Sequence, residues 1–430
     1  MNKFNFKKCL EDLFYLNRSI TGKDTLKTIK YFQKINKEFK IIKFKTGSKV
    51  FDWTIPLEWN VKDAFIQHLK TSKKFAEFKK NNLHLVGYSM PIKKILDLKD
   101  LKKKIFSHKI LNAIPYVTSY YKKDWGFCLA KSQLNKLPDG KYRINIDSQF
   151  KKGYLNGTHA IIRGKTKKEI FFSSYICHPS MANNELSGPI LLNAVLDYLK
   201  RNYKKPYYTY RFVLMPETIG SIAYLSKNYK HLQKNVIAAF NLTCVGDNKN
   251  FSMVESRNGN TISDKALKCQ IIKKSKHRIY SFLNRGSDER QYCSPGINLP
   301  MATFCRSKFG NYKEYHTSLD NLKLVNEKNL NDSLGVITNI IKSFEIGLYP
   351  KLNIKCEPMM SKRKLYPTLS KAGNYSQKTK DIMNFIAYCD QRSIFDISIK
   401  TGIELEKIIE IYKILIKSKI IKKNFEQKNL

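Results

Sequence analysis

No Cys-x-x-Cys pair, no internal repeat and no window of about 18 apolar residues, the length a membrane helix needs, occurs in the 430 residues of the chain. The nine cysteines are an odd number, and Cys128, Cys177 and Cys244 sit in apolar runs, where a reduced thiol behaves as a small hydrophobe. This favours a reducing cytoplasm over a disulfide-stapled secreted protein. The opening MNKFNFKKCLEDLFYL carries acidic residues where a signal peptide needs an unbroken apolar stretch. A cytoplasmic protein with no membrane partner is therefore expected. Acidic residues are also scarce, 35 against 79 Lys and Arg, for a net charge of +44. The excess is mostly lysine spread through every segment alongside abundant Ile and Asn, as an AT-rich coding sequence produces. A nucleic-acid footprint would be clustered instead.

What is present is a large apolar complement. With 42% hydrophobic and 12% aromatic residues over this length, two or three domains with a sizeable core are expected. Residues 4–40 show helical spacing broken at Thr21-Gly22. From Val50 the texture turns to short β-like pieces (VFDWTIPLEW, LHLVGYSM), read as a small α+β insertion over 48–116. YRINIDSQF, THAIIRG and EIFFSSYIC read as strands, PILLNAVLDYLKRN as a helix, YRFVLM and NVIAAFNLTCV as further strands. Alternating strand and helix patterns imply an α/β sheet covered by helices. The expected organisation is 1–47 with 117–349 as the α/β unit, 350–375 as a linker, and 376–430 as three short helices ending in Ile-Ile, a winged helix-turn-helix pattern.

Polar clusters fall at the boundaries of the α/β unit. His178 ends one strand, with Asn184 and Glu185 before the next helix, and Glu217 ends the strand YRFVLMP. Asp288, Glu289 and Arg290 stand in RGSDERQYCSPG, and His316 in YHTSLDN. Singly, each has an ordinary structural explanation: Asn184 to Ser187 as a helix cap, Glu217 as a carboxylate favoured by a helix dipole, His316 as a turn residue. Together they put two His and several carboxylates at strand ends, the ligand set zinc prefers, in the crevice where open α/β sheets hold ligands.

In this order the motifs resemble the co-catalytic zinc aminopeptidases and glutaminyl cyclases. More closely they resemble a bacterial aminopeptidase-like family with an inserted domain and a C-terminal winged helix, often associated with surface-polysaccharide biosynthesis. FDWTIPLEWNVKDAFI, NLHLVGYSMP, TSYYKKDWGFCLA, ICHPSMANNELSGP, GSDERQYCSPG and YHTSLDN carry the likeness over essentially the whole chain. It implies a zinc-exopeptidase-like α/β fold, a mixed sheet flanked by helices. It also implies metal ligands at His178 and His316, and a ligand or general base at Glu217.

Three positions depart from the two-metal pattern. Asn184 stands at the bridging aspartate, Pro216 where a second glutamate precedes Glu217, and Thr243 at a further ligand aspartate. A neutral amide cannot offset the repulsion of two dications, so one zinc is expected, held by His178, Glu217, His316 and an oxygen of Asn184 or Glu185. Glu289 or Glu185 is a candidate base beside Glu217, and Asp288 and Arg290 are candidates for binding a charged part of the substrate. The expected activity is hydrolysis of an amide in a small aminoacyl, N-acyl or short peptide substrate. The alternative is a catalytically silent binding or scaffold protein. In the terminal module ELEKIIEIYKILIK carries Glu404, Glu406 and Glu410 and no arginine, which argues against base readout and for a protein-contact or oligomerisation role.

Overall fold

The computed structural model describes residues 4–366, 375–389 and 392–426. Its main sheet has eight strands: β1 (Lys40–Lys45), β2 (Tyr154–Ile162), β3 (Glu169–Tyr175), β4 (Thr209–Met215), β5 (Val236–Leu242), β6 (Phe251–Val254), β7 (His277–Tyr280) and β8 (Met301–Cys305). Their order is β1-β2-β4-β3-β5-β8-β6-β7. The central strands β4, β3, β5 and β8 are parallel, with antiparallel pairings on both sides of them. EIFFSSY and TYRFVLM are buried at every position, as parallel strands covered on both faces must be. Phe172 of β3 stacks between Phe212 of β4 and Phe240 of β5, with ring centroids 5.4 and 5.3 Å apart. Each aromatic pair adds about 0.5–1.5 kcal/mol beyond area burial.

The chain passes from β3 to β4 on one side and then crosses over to β5 on the other. The order therefore reverses between β3 and β5, and a crevice forms beyond their carboxyl ends. Helices Ser187–Asn202 and Glu327–Gly347 pack against each other on one face. The second helix is started by Asn326, whose side chain accepts from the Asn329 N–H.

A separate four-stranded sheet is built from Glu58–His68, Lys74–Phe75, Ile92–Asp97 and Lys141–Lys151. The strand YRINIDSQF thus belongs to this inserted sheet and not to the main one, so the sheet reaches beyond residue 116. Its burial alternates along the strand, with one face wet, unlike the continuous burial of β3 and β4.

At the carboxyl end of the chain, helices Gln377–Ala387, Ile394–Thr401 and Leu405–Lys417 form the winged helix. The stretch expected as a linker supplies Lys351–Leu352, which pairs with Ile421–Lys422; residues 367–374 of it lie outside the described residues. Phe385, Phe395, Leu405 and Ile408 share one continuous core with the main unit, and the Phe395 ring lies 5.4 Å from that of Phe344. Among the described residues no helix is long and apolar enough to cross a membrane.

Candidate functional site

Because β3 and β4 are parallel and in register at Tyr175 and Met215, the residues just past them emerge side by side. The Glu217 N–H donates to Cys177 Sγ (3.2 Å), which ties the two exits together. His178 Nε2 consequently lies 3.7 Å from Glu217 Oε2. From the far loop His316 brings its ring to 5.3 Å from that of His178, and Tyr116 sits edge-on to both, with centroids at 5.0 and 5.1 Å. His316 Nε2 is buried without a hydrogen-bond partner. Burial, reinforced by Arg18, lowers the pKa of His178 to about 3; burial, reinforced by His178, lowers that of His316 to about 3. Both rings are therefore neutral, the state in which imidazole binds a metal.

The backbone here is strained in a concerted way. Ser180, Thr218, Cys244 and His316 have φ of 45°, 63°, 52° and 53°, left-handed values that each cost non-glycine residues about 1–3 kcal/mol. All four lie in segments that follow the strand ends or carry a predicted site residue, where positioning side chains outweighs local comfort.

Glu185 meets the Nδ1 edge of the His178 ring. Its Oε2 is 2.9 Å from His178 Nδ1, the ring edge opposite Nε2, and Arg18 Nε is 3.5 Å from its Oε1. Arg18 also donates to the His178 carbonyl at 3.1 Å. Burial pushes the Glu185 carboxyl up to about 8, opposed by Arg18 and the backbone N–H groups of His178 and Cys177. Cys177, His178 and Glu185 do gather ligand-type atoms within 4.8 Å of one another. Yet two tetrahedral zinc ligands stand roughly 3.3 Å apart, so the 2.9 Å His178–Glu185 contact is a hydrogen bond. Burial also keeps the Cys177 thiol protonated by pushing its pKa well up. Glu185 orients the ring from the Nδ1 edge, and the Nε2 edge faces Glu217.

The remaining expected residues serve the frame. Asn184 Nδ2 donates to Tyr175 Oη (2.9 Å), Tyr175 Oη lies 2.6 Å from Thr243 Oγ1, and Asn184 Oδ1 is buried without a partner. Two of the three positions read as departing from a two-metal pattern, Asn184 and Thr243, are thus joined through Tyr175 by neutral hydrogen bonds. Glu289 accepts from the N–H groups of Gly286 and Ser287 and from Asn241 Nδ2 and Thr303 Oγ1, which commits its carboxylate to four internal bonds. Asp288 is buried and accepts from Thr218 N (2.8 Å) and Ser221 Oγ (3.0 Å), so it fixes the turn after Glu217. Burial raises its pKa to about 6. Burial and then the Asp288 charge raise Glu217 well above the carboxylate range. Arg290 is exposed and donates to Thr218 Oγ1. Gly188 lies against the Leu242 carbonyl and Ser174 Oγ, where any Cβ would collide.

Two participants were not foreseen. Arg18 is fully buried and 160 residues from His178, with no local signature. Asp320, seen in sequence only as part of a turn, accepts the N–H groups of Ala182, Asn183 and Asn184 at 3.1, 2.6 and 2.9 Å, and so pins the turn that carries Glu185.

The chain is similar over most of its length to known proteins. The chain is 39% identical over 405 residues, 93% of its length and 92% of the relative's, to a Clostridium acetobutylicum protein described as "Putative polysaccharide biosynthesis protein with aminopeptidase-like domain". A crystal structure described as a "putative peptidase" from Clostridium acetobutylicum superposes with a TM-score of 0.88 at 36% identity, covering 96% of this chain and 95% of that one. A zinc aminopeptidase from Bacillus subtilis shares the fold at 13% identity and a TM-score of 0.56, over 79% of this chain and 95% of that one. A winged helix-turn-helix model matches residues 348–423. Residues 7–347 match a further family model, and the chain therefore belongs to the family described as "Domain of unknown function (DUF4910)", built on an aminopeptidase-like fold and followed by a winged helix.

Proposed function

We propose that the protein is a single-zinc hydrolase that cleaves an amide in a small aminoacyl or N-acyl substrate. The observation that carries this is the convergence of His178 Nε2 and Glu217 Oε2 at 3.7 Å beside a His316 ring whose buried Nε2 has no partner within the protein. His178, His316 and Glu217 are the residues that would hold the ion. When bound, zinc polarises a carbonyl and makes water a nucleophile near neutral pH.

The chain's own groups do the rest. Glu185 and Arg18 fix the His178 ring so that Nε2 faces the crevice. Of the carboxylates expected to move a proton, Glu289 is committed to the fold and Glu185 lies on the far ring edge. Glu217 is the one beside Nε2, and we assign it proton transfer as well as ligation. Tyr116, edge-on to His316, and Tyr315, stacked on it at 3.9 Å, wall the site and hold the His316 ring. The name of the Clostridium relative favours a substrate from polysaccharide metabolism.

The test is a screen of aminoacyl and N-acyl sugar amides with zinc-loaded protein and its Glu217→Gln variant. Product release that falls at least about 100-fold in the variant supports the assignment. Equal release by both removes Glu217 from the chemistry.

A further inference from the structure

Tyr116 and Tyr175 pack edge-on to the His178 ring, and a cleft of about 460 Å³ opens nearby. Ser180, two residues past His178, and Ser318, two residues past His316, are both in its wall, which connects the cleft along the chain to both histidine loops. The opposite wall comes from the inserted sheet around Trp59 to Lys62 and from the Phe78–Asn82 loop.

Two features set this cleft apart from the general lysine background. Asn82 is only 8% exposed, and its Oδ1 has no hydrogen-bond partner although its Nδ2 donates to the Tyr15 carbonyl at 3.3 Å. A buried amide oxygen left unsatisfied costs about 1–3 kcal/mol, and a ligand hydroxyl would satisfy it. The second feature is charge. Five lysines line the cleft against one acid, Asp24. Lys27, Lys79 and Lys80 are paired with Asp24, Asp63 and Glu77. Among the described residues no carboxylate reaches Lys23 or Lys62, which leaves two cations on one cleft. At the rim Tyr15 is 74% exposed, a large aromatic face held out of the core.

We propose that this cleft binds a sugar bearing a carboxylate or phosphate group. Lys23 and Lys62 take the anion, the Asn82 Oδ1 accepts a hydroxyl, and Tyr15 covers the ring. For the fate of the bound sugar the proposal rests on the hydrolase reading of the His178 site; for binding it does not.

The test is calorimetric titration of the full-length protein with glucuronic acid, glucose 1-phosphate, glucose and inorganic phosphate, with zinc content measured in parallel. At least one anionic sugar should bind about tenfold or more tighter than both glucose and inorganic phosphate, and raised salt should weaken it. Which anionic sugar binds tells carboxylate from phosphate. Lys23→Glu with Lys62→Glu, both exposed, should weaken that sugar about tenfold or more with zinc content unchanged. Binding of glucose or inorganic phosphate as tightly as the sugar acids, no binding of any probe, or unchanged binding in the double variant would overturn the proposal. Sugar binding without any zinc would sink the hydrolase reading alone.

Discussion

Glu185 Oε2 sits 2.9 Å from Nδ1 of His178 while Glu217 Oε2 sits 3.7 Å from Nε2, so the two carboxylates grip opposite edges of one ring. Ring orientation is thereby set from the protein side and left open on the crevice side. Glu185→Gln should then weaken zinc about 10–100-fold, the usual effect of losing an outer carboxylate on a ligating histidine. Zinc titration monitored by a competing chelator measures this. Unchanged affinity would show that Glu185 acts only on stability.

Asn184, Tyr175 and Thr243 form a neutral hydrogen-bonded cluster at positions that a second ion would need charged. Asn184→Asp removes the donor to Tyr175 and buries a carboxylate. Without metal its melting temperature should fall, reflecting about 1–3 kcal/mol for an unsatisfied buried group. With excess zinc a second, weaker equivalent should appear. A variant that melts unchanged and still binds one ion would contradict this.

At the other end of β3, Glu169 receives Arg211 Nε and Nη2 at 2.7 and 2.9 Å and His231 Nε2 at 2.7 Å. Burial pushes its carboxyl up, but Arg211 and His231 outweigh this and hold it below its ordinary 4.5. A depressed folded pKa means the stabilisation is complete above pH 4.5 and is lost as pH falls through the lower, folded value. Glu169→Gln leaves Arg211 buried without its charge partner and should cost about 3–5 kcal/mol at pH 7. The gap between parent and variant in urea unfolding should narrow below pH 4.5; a constant gap would exclude the linkage.

The winged helix shares its core with the main unit, and Glu406 on its last helix accepts from Asn339 Nδ2 at 2.6 Å. The face read in sequence as protein-contacting makes at least this contact within its own chain. Phe395→Ala should destabilise the full chain by about 3–5 kcal/mol in one transition, and the parent protein should show no salt-sensitive duplex binding. Separate melting of the two parts, or such binding at micromolar affinity, would contradict it.

The chain pattern made the strand ends legible: continuous apolar runs ending in His178 and Glu217 predict two parallel neighbours delivering both groups to one crevice. It did not show which edge of the His178 ring Glu185 would meet, because that depends on Arg18 arriving from the amino-terminal segment. Glu289 read as reactive because four internal donors, two of them on Asn241 and Thr303, are invisible in a linear motif. The misplaced strand YRINIDSQF did carry a signal. Its strict alternation marks a sheet with one wet face, whereas β3 and β4 alternate with nothing.

The central claim is that one ion is held between His178, Glu217 and His316, and metal stoichiometry tests it most directly. Protein purified without chelator and analysed by elemental mass spectrometry should carry one equivalent of zinc per chain, and His316→Ala should lose it while remaining folded. Two equivalents in the parent protein, no stoichiometric metal at all, or full zinc retention by folded His316→Ala would contradict the account.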